Sequence, residues 1–108
     1  ESDPALQQAA AERLAGTPVR LAKGPLREGD KSGAPYDVIV VEGSFEVEPA
    51  ALLAQLADGG RLVGVRGTGR AASATVYRRS GQTVGNRTIT EAAAPILPEF
   101  SAAPTFVF

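Results

Sequence analysis

The run Val38-Ile39-Val40-Val41 constrains this chain more than any other stretch. Contiguous β-branched residues predict a strand, because branching at Cβ suits a pleated sheet and crowds a helical turn. The apolar residues do not alternate with polar ones. That pattern is expected of a central parallel strand with both faces covered. The strand is read over residues 36–41, with Glu42 and Gly43 ending it.

The flanking segments supply the crossover elements that a parallel sheet needs. Asp3 followed by Pro4 marks a helix start, an oxygen to cap and then proline in the first turn. Leu6, Ala9, Ala10, Arg13 and Leu14 recur at helical spacing, and Gly16 closes the helix. Its narrow, alanine-rich stripe suits close packing on a sheet. Residues 19–22 read as a short strand and 23–34 as loop. Pro49 opens a second helix with Leu52, Leu53 and Leu56 on its buried stripe, stopped by Gly59. Residues 62–65 form a second apolar strand, ended by Gly67 and Gly69. Residues 73–79 and 83–90 alternate around Ser80-Gly81-Gln82, the signature of a hairpin. Pro95 and Pro98 break the chain, and 105–108 read as a short terminal strand along an edge or over the sheet. The order indicates an open α/β sheet finished by an antiparallel hairpin.

At 108 residues the chain is one small domain with a modest core. Net charge is −1, and Arg78, Arg79 and Arg87 have no interleaved aromatics, so they read as a solvated strand face rather than a nucleic-acid surface. The absence of cysteine and histidine removes disulfides, thiol nucleophiles, the usual zinc ligands and histidine-based triads. Gly67-Thr68-Gly69 lacks a following lysine and reads as a turn, not a phosphate loop. Phe100, Phe106 and Phe108 read as core or interface residues. The apolar runs are too short to span a bilayer, and Glu1 opens a polar stretch rather than a leader, so the default setting is cytoplasmic. No methionine occurs anywhere, position 1 included, so a processed or partial chain is expected.

Two segments carry a family resemblance. Ala34-Pro35-Tyr36-Asp37-Val38-Ile39-Val40-Val41 is followed, past Pro49, by Ala51-Leu52-Leu53-Ala54-Gln55-Leu56-Ala57-Asp58-Gly59-Gly60-Arg61-Leu62-Val63. The pair resembles the "PYD-x-I" strand and the "L-x-x-QL-x-x-GG-x-L-V" element of the protein-L-isoaspartate O-methyltransferases. Tyr77-Arg78-Arg79 before a glycine turn and the ending Pro104-Thr105-Phe106-Val107-Phe108 are similar to the family's C-terminal strands. The resemblance implies a partial Rossmann-like class I methyltransferase sheet. Residues 1–108 would then be the C-terminal part of the domain, beginning just past its glycine-rich cofactor loop.

The cofactor implied is S-adenosyl-L-methionine. Glu1 matches the acidic residue that ends the family's second strand and binds the ribose hydroxyls. A carboxylate suits a vicinal diol, since it can accept from both hydroxyls; read alone, Glu1 is an exposed terminal glutamate. Gly24-Pro25-Leu26 stands where the family has a "GDG" turn near adenine. The aspartate is missing and proline removes a backbone donor, leaving Leu26 to pack on the base. Glu42, with Gly43 and Ser44, occupies the loop facing the methyl-transfer centre, Glu42 on the cofactor side and Gly43 and Ser44 on the substrate side. A carboxylate at position 42 would repel a carboxylate substrate unless it is paired or protonated.

Methyl transfer to a carboxylate needs in-line positioning and no strong base, so no catalytic residue and no metal are expected within the chain. The resemblance implies methylation of L-isoaspartyl residues in damaged proteins or peptides, without nucleic acid or membrane. The residues expected to bind that carboxylate precede Glu1 in the family, so the chain alone is expected to be a poor catalyst. Two other classes remain open: a noncatalytic methyltransferase-like interaction module, and half of a nicotinamide-binding domain. The terminal hairpin counts against the latter. An exposed sheet edge near 19–22 or 38–41 is expected to promote self-association.

Overall fold

β1 spans Tyr36–Phe45, longer than the apolar run that predicts it, and β2 spans Leu56–Arg66. The hairpin follows as β3 (Ser73–Ser80) and β4 (Thr83–Glu91), turning at Gly81, whose φ is +62°. The strands form one sheet in the order β1-β2-β3-β4. β1 and β2 are parallel, and the remaining pairs are antiparallel. These relations come from a computed structural model that describes residues 1–102. The terminal strand expected at 105–108 lies outside the described residues. Among those described, no helix is long and apolar enough to cross a membrane.

The β1–β2 register carries the glycine pair of the resemblance motif. Tyr36 faces Leu56, but Val38 faces Arg61, so β2 bulges between the two. Gly59 makes the bulge at φ +79°, in the left-handed region that favours glycine. Gly60 serves a different need. A Cβ there would stand 2.8 Å from both the Ala57 and Tyr36 carbonyl oxygens. Asp58 at the bulge accepts a bond from the Gly81 amide at 2.8 Å, pinning the hairpin turn to it.

The core lies on one face of the sheet. Phe45, Leu52, Leu53, Leu56, Leu62, Tyr77 and Phe100 are buried together, with Ile39, Val41, Val84 and Leu97 packed against them. The Phe45 ring sits 6.1 Å from Tyr77 and 6.5 Å from Phe100, centroid to centroid.

Several sequence expectations are corrected. Only one face of β1 is covered: Ile39 and Val41 meet the core, whereas Val38 and Val40 are 53% and 63% exposed. The contiguous run suited two covered faces, but the packed elements lie on the core side. Residues 19–22 are not a strand, since no ladder partner lies beside them among the described residues. The second helix, α2, is only Ala50–Leu53. It stops because the Tyr36 amide takes the Gln55 carbonyl (2.8 Å), which makes Leu56 the first residue of β2. The first helix, α1, spans Pro4–Leu14 with Asp3 capping the Ala5 and Leu6 amides, as expected, but none of its residues is buried. Its alanine methyls offer too little apolar area to anchor it on the sheet.

Candidate functional site

Glu1, Gly24, Pro25, Leu26 and Glu42 come from three separate stretches of chain, yet all line one open cleft of about 620 Å3. Tyr36, Val38 to Val41, Leu97 and Phe100 complete much of its wall. Its size and mixed lining are those of a small-molecule site.

Local bonds bring Glu1 beside Gly24. The Glu1 nitrogen donates to the Ala22 carbonyl at 2.8 Å, and the Gly24 amide donates to the Glu1 carbonyl at 3.0 Å. The Gln7 side-chain amide donates to that same carbonyl at 2.6 Å, tying α1 to the rim. Among the described residues, no group bonds to the Glu1 carboxylate, which leaves its oxygens free to accept. Glu42 is exposed at the rim of the same cleft, also free of an ion pair among the described residues. Lys23 lines the cleft as well, so its polar end carries both signs of charge.

The Leu26 side chain is exposed toward the cleft, but its backbone amide is committed elsewhere. It donates to Glu99 Oε2 at 3.0 Å. Pro25 has no amide to offer. Neither position therefore presents a backbone donor to a ligand, and the apolar surface of Leu26 is what the turn offers.

Gly43 and Ser44 are buried and do not line the cleft. A segment after the hairpin covers them. The Ser44 amide donates to Pro95 at 2.8 Å, and the Leu97 amide donates to Ser44 at 2.9 Å. Leu97 presses on Gly43 so closely that a Cβ there would meet its Cγ at 2.6 Å. The Ser44 hydroxyl donates to the Gly67 carbonyl. Both residues are packed beneath this segment, and the amide, carbonyl and hydroxyl of Ser44 are already occupied.

Sequence reasoning missed several contributors. Leu97 lies between prolines that read only as a chain break. Gln55 belongs to the recognised motif, yet its side chain serves the loop: it donates to the Glu28 carbonyl at 2.7 Å and accepts from the Asp30 amide at 3.1 Å. Asp30 pairs with Arg20 at 2.5 Å. The Ser32 hydroxyl, then the Ser32 amide and the Arg20 charge, lower the Asp30 carboxyl from its ordinary value, against the opposing effect of desolvation. No pattern in the sequence ties Gln55 to Glu28 or Glu99 to Leu26. Among the described residues, no three acidic, histidine or cysteine side chains are grouped to hold a metal ion.

Comparison with known proteins gives a consistent picture. A family profile described as protein-L-isoaspartate(D-aspartate) O-methyltransferase matches residues 1–95. The protein-L-isoaspartate O-methyltransferase of Hahella chejuensis is 43% identical over 58 residues, covering 54% of this chain and 28% of that protein. That of Halorhodospira halophila is 41% identical over 76 residues, covering 66% and 34%. The chain thus spans about a third of the length of such relatives or less. A solved protein-L-isoaspartate O-methyltransferase superposes with a TM-score of 0.77 at 22% identity, over 90% of this chain and 32% of that one. A Plasmodium falciparum beta-aspartate methyltransferase, solved with S-adenosyl-L-homocysteine, gives 0.72 at 14% identity, over 92% and 50%. At these identities the structural likeness is one of fold.

Proposed function

The chain belongs to the protein-L-isoaspartate O-methyltransferase family, and from that premise we propose that it supplies the C-terminal part of an S-adenosylmethionine-dependent methyltransferase domain acting on isoaspartyl carboxylates of proteins or peptides. The observation that carries this reading is the convergence of Glu1, Gly24, Pro25, Leu26 and Glu42 on one cleft.

The residues present fit such a group. The free Glu1 carboxylate has acceptors for a ribose diol. Leu26 offers a flat apolar contact for a purine. Glu42, which also lines the cleft, favours a cationic sulfonium over a neutral thioether. Bound there, the cofactor supplies an electrophilic methyl carbon. The chain's own part is to hold and orient. Leu97, which lines the cleft and packs over Gly43, fixes the end of β1 under the place where an acceptor carboxylate approaches. A carboxylate is already the nucleophile at neutral pH, so no side chain here has to take a proton. The substrate-side role of Gly43 and Ser44 is thus one of shape.

We extend the proposal to the chain by itself. Among the described residues β1 is an edge strand of the sheet, with Val38 and Val40 exposed, which supports self-association of the isolated 108-residue chain. A second reading, a noncatalytic module, draws support from Pro25 and from the committed Leu26 amide. Calorimetric titration with S-adenosylhomocysteine separates the two readings, using the longer protein that carries this sequence. Saturable binding that weakens on Glu1→Ala supports the cofactor site. No binding by that protein moves the assignment to the noncatalytic module.

A further inference from the structure

We propose that Gln55 and Glu99 are positioning residues for the nucleoside-facing loop, setting cofactor affinity through the shape they hold it in. The proposal rests on the cofactor reading of the cleft given above.

Residues 24–30 contain only a single 3-10 turn, Leu26–Glu28, and have little internal structure to hold a shape. Their shape comes from three distant elements. Glu99, on the segment after the hairpin, accepts from the Leu26 amide at 3.0 Å across 73 positions of chain. Gln55, between α2 and β2, uses both ends of its amide: it donates to Glu28 at 2.7 Å and accepts from Asp30 at 3.1 Å. Tyr36, at the start of β1, donates to the Asp30 carbonyl at 2.5 Å.

Packing reinforces the bonds. Gln55 is only 6% exposed. Gly29 lies against it at φ +64°, and a Cβ there would meet Gln55 Oε1 and Leu52 Cδ2, each at 2.7 Å. A chain with any other residue at position 29 would have to move off the clamp. The loop is therefore ordered before a ligand arrives, and binding is spared the entropy of ordering it. Glu99 acts at the adenine end through Leu26, whose side chain lines the cleft while Glu99 itself lies outside it. The carboxylate makes this a charge-assisted bond, stronger than a neutral one.

The test compares Glu99→Ala, Glu99→Gln and Gln55→Glu in the full-length protein. Three quantities are read: the S-adenosylhomocysteine dissociation constant, amide exchange at Leu26 and Asp30, and the unfolding midpoint without ligand. Glu99→Ala is expected to weaken binding roughly tenfold, the scale of one lost hydrogen bond to a charged group. Exchange at Leu26 should quicken with little change in the midpoint. Glu99→Gln keeps an accepting oxygen and should recover most of the affinity. Gln55→Glu keeps the acceptor for Asp30 but sets a carboxylate against the Glu28 carbonyl, so it too should weaken binding. Unchanged or tighter binding by Glu99→Ala, or no recovery in Glu99→Gln, overturns the proposal. A wild-type protein that protects both amides yet binds no S-adenosylhomocysteine overturns the cofactor reading instead, and the proposal with it.

Discussion

Tyr77 brings its hydroxyl into the core at 1% exposure, and among the described residues no acceptor bonds to it. Burial raises its pKa above the ordinary tyrosine value, with Arg66 opposing and Glu48 adding a smaller push. A raised folded pKa means that this contribution to stability is complete below the unfolded value near 10 and is lost as pH rises through the folded one. Tyr77→Phe should leave the packing intact and remove an orphaned polar atom. We expect a gain of about 1 kcal/mol in urea unfolding at neutral pH and a flatter stability profile above pH ~10. Glu42→Gln tests the charge at the cleft rim. It should weaken S-adenosylmethionine more than S-adenosylhomocysteine, because only the former carries a sulfonium. Equal losses measured by calorimetry would remove Glu42 from the methyl-transfer end.

The α2–β2 junction is where element-scale reasoning departs most from sequence pattern. Leu52, Leu53 and Leu56 do form a buried group, as helical spacing predicts, but Leu56 sits in a strand. Burial was legible and secondary structure was not, because the junction is decided by the Tyr36 amide taking the Gln55 carbonyl. The bulge at Gly59 and Gly60 follows from the same pairing. Gly60→Ala sets a methyl against two carbonyl oxygens, neither of which can rotate away. It should cost about 1–3 kcal/mol in denaturant unfolding, the usual range for overpacking. Gly59→Ala should cost less, since no atom lies within 4 Å of its missing Cβ and only its positive φ is strained.

Across the whole molecule, the sheet has a filled face and a bare one. Val38 and Val40 stand on the bare side of β1, and among the described residues no strand pairs with its outer edge there, the segment at Ile96 bridging it only at Ser44. The isolated chain should show a mass above the monomer in light scattering at high concentration. Val38→Lys with Val40→Glu, which charges the edge without touching the core, should return it toward monomer. A monomeric wild-type chain would contradict the expectation.

The sequence by itself determined the α1 cap at Asp3, the parallel pair and the hairpin about Gly81, and its family motif supplied the expectation that Glu1, Gly24, Pro25, Leu26 and Glu42 serve one site. Each of these rests on local chemistry or on periodicity: a capping oxygen, a β-branched run, a turn glycine, a recognisable motif. The tertiary structure alone decided which face of β1 is covered, that 19–22 stay unpaired, and that α2 ends at Leu53. It also decided that Leu97 roofs Gly43 while Glu99 holds Leu26. Those outcomes depend on which groups far apart in the chain reach each other's free donors and acceptors. Such pairings leave no period or spacing in the sequence to read.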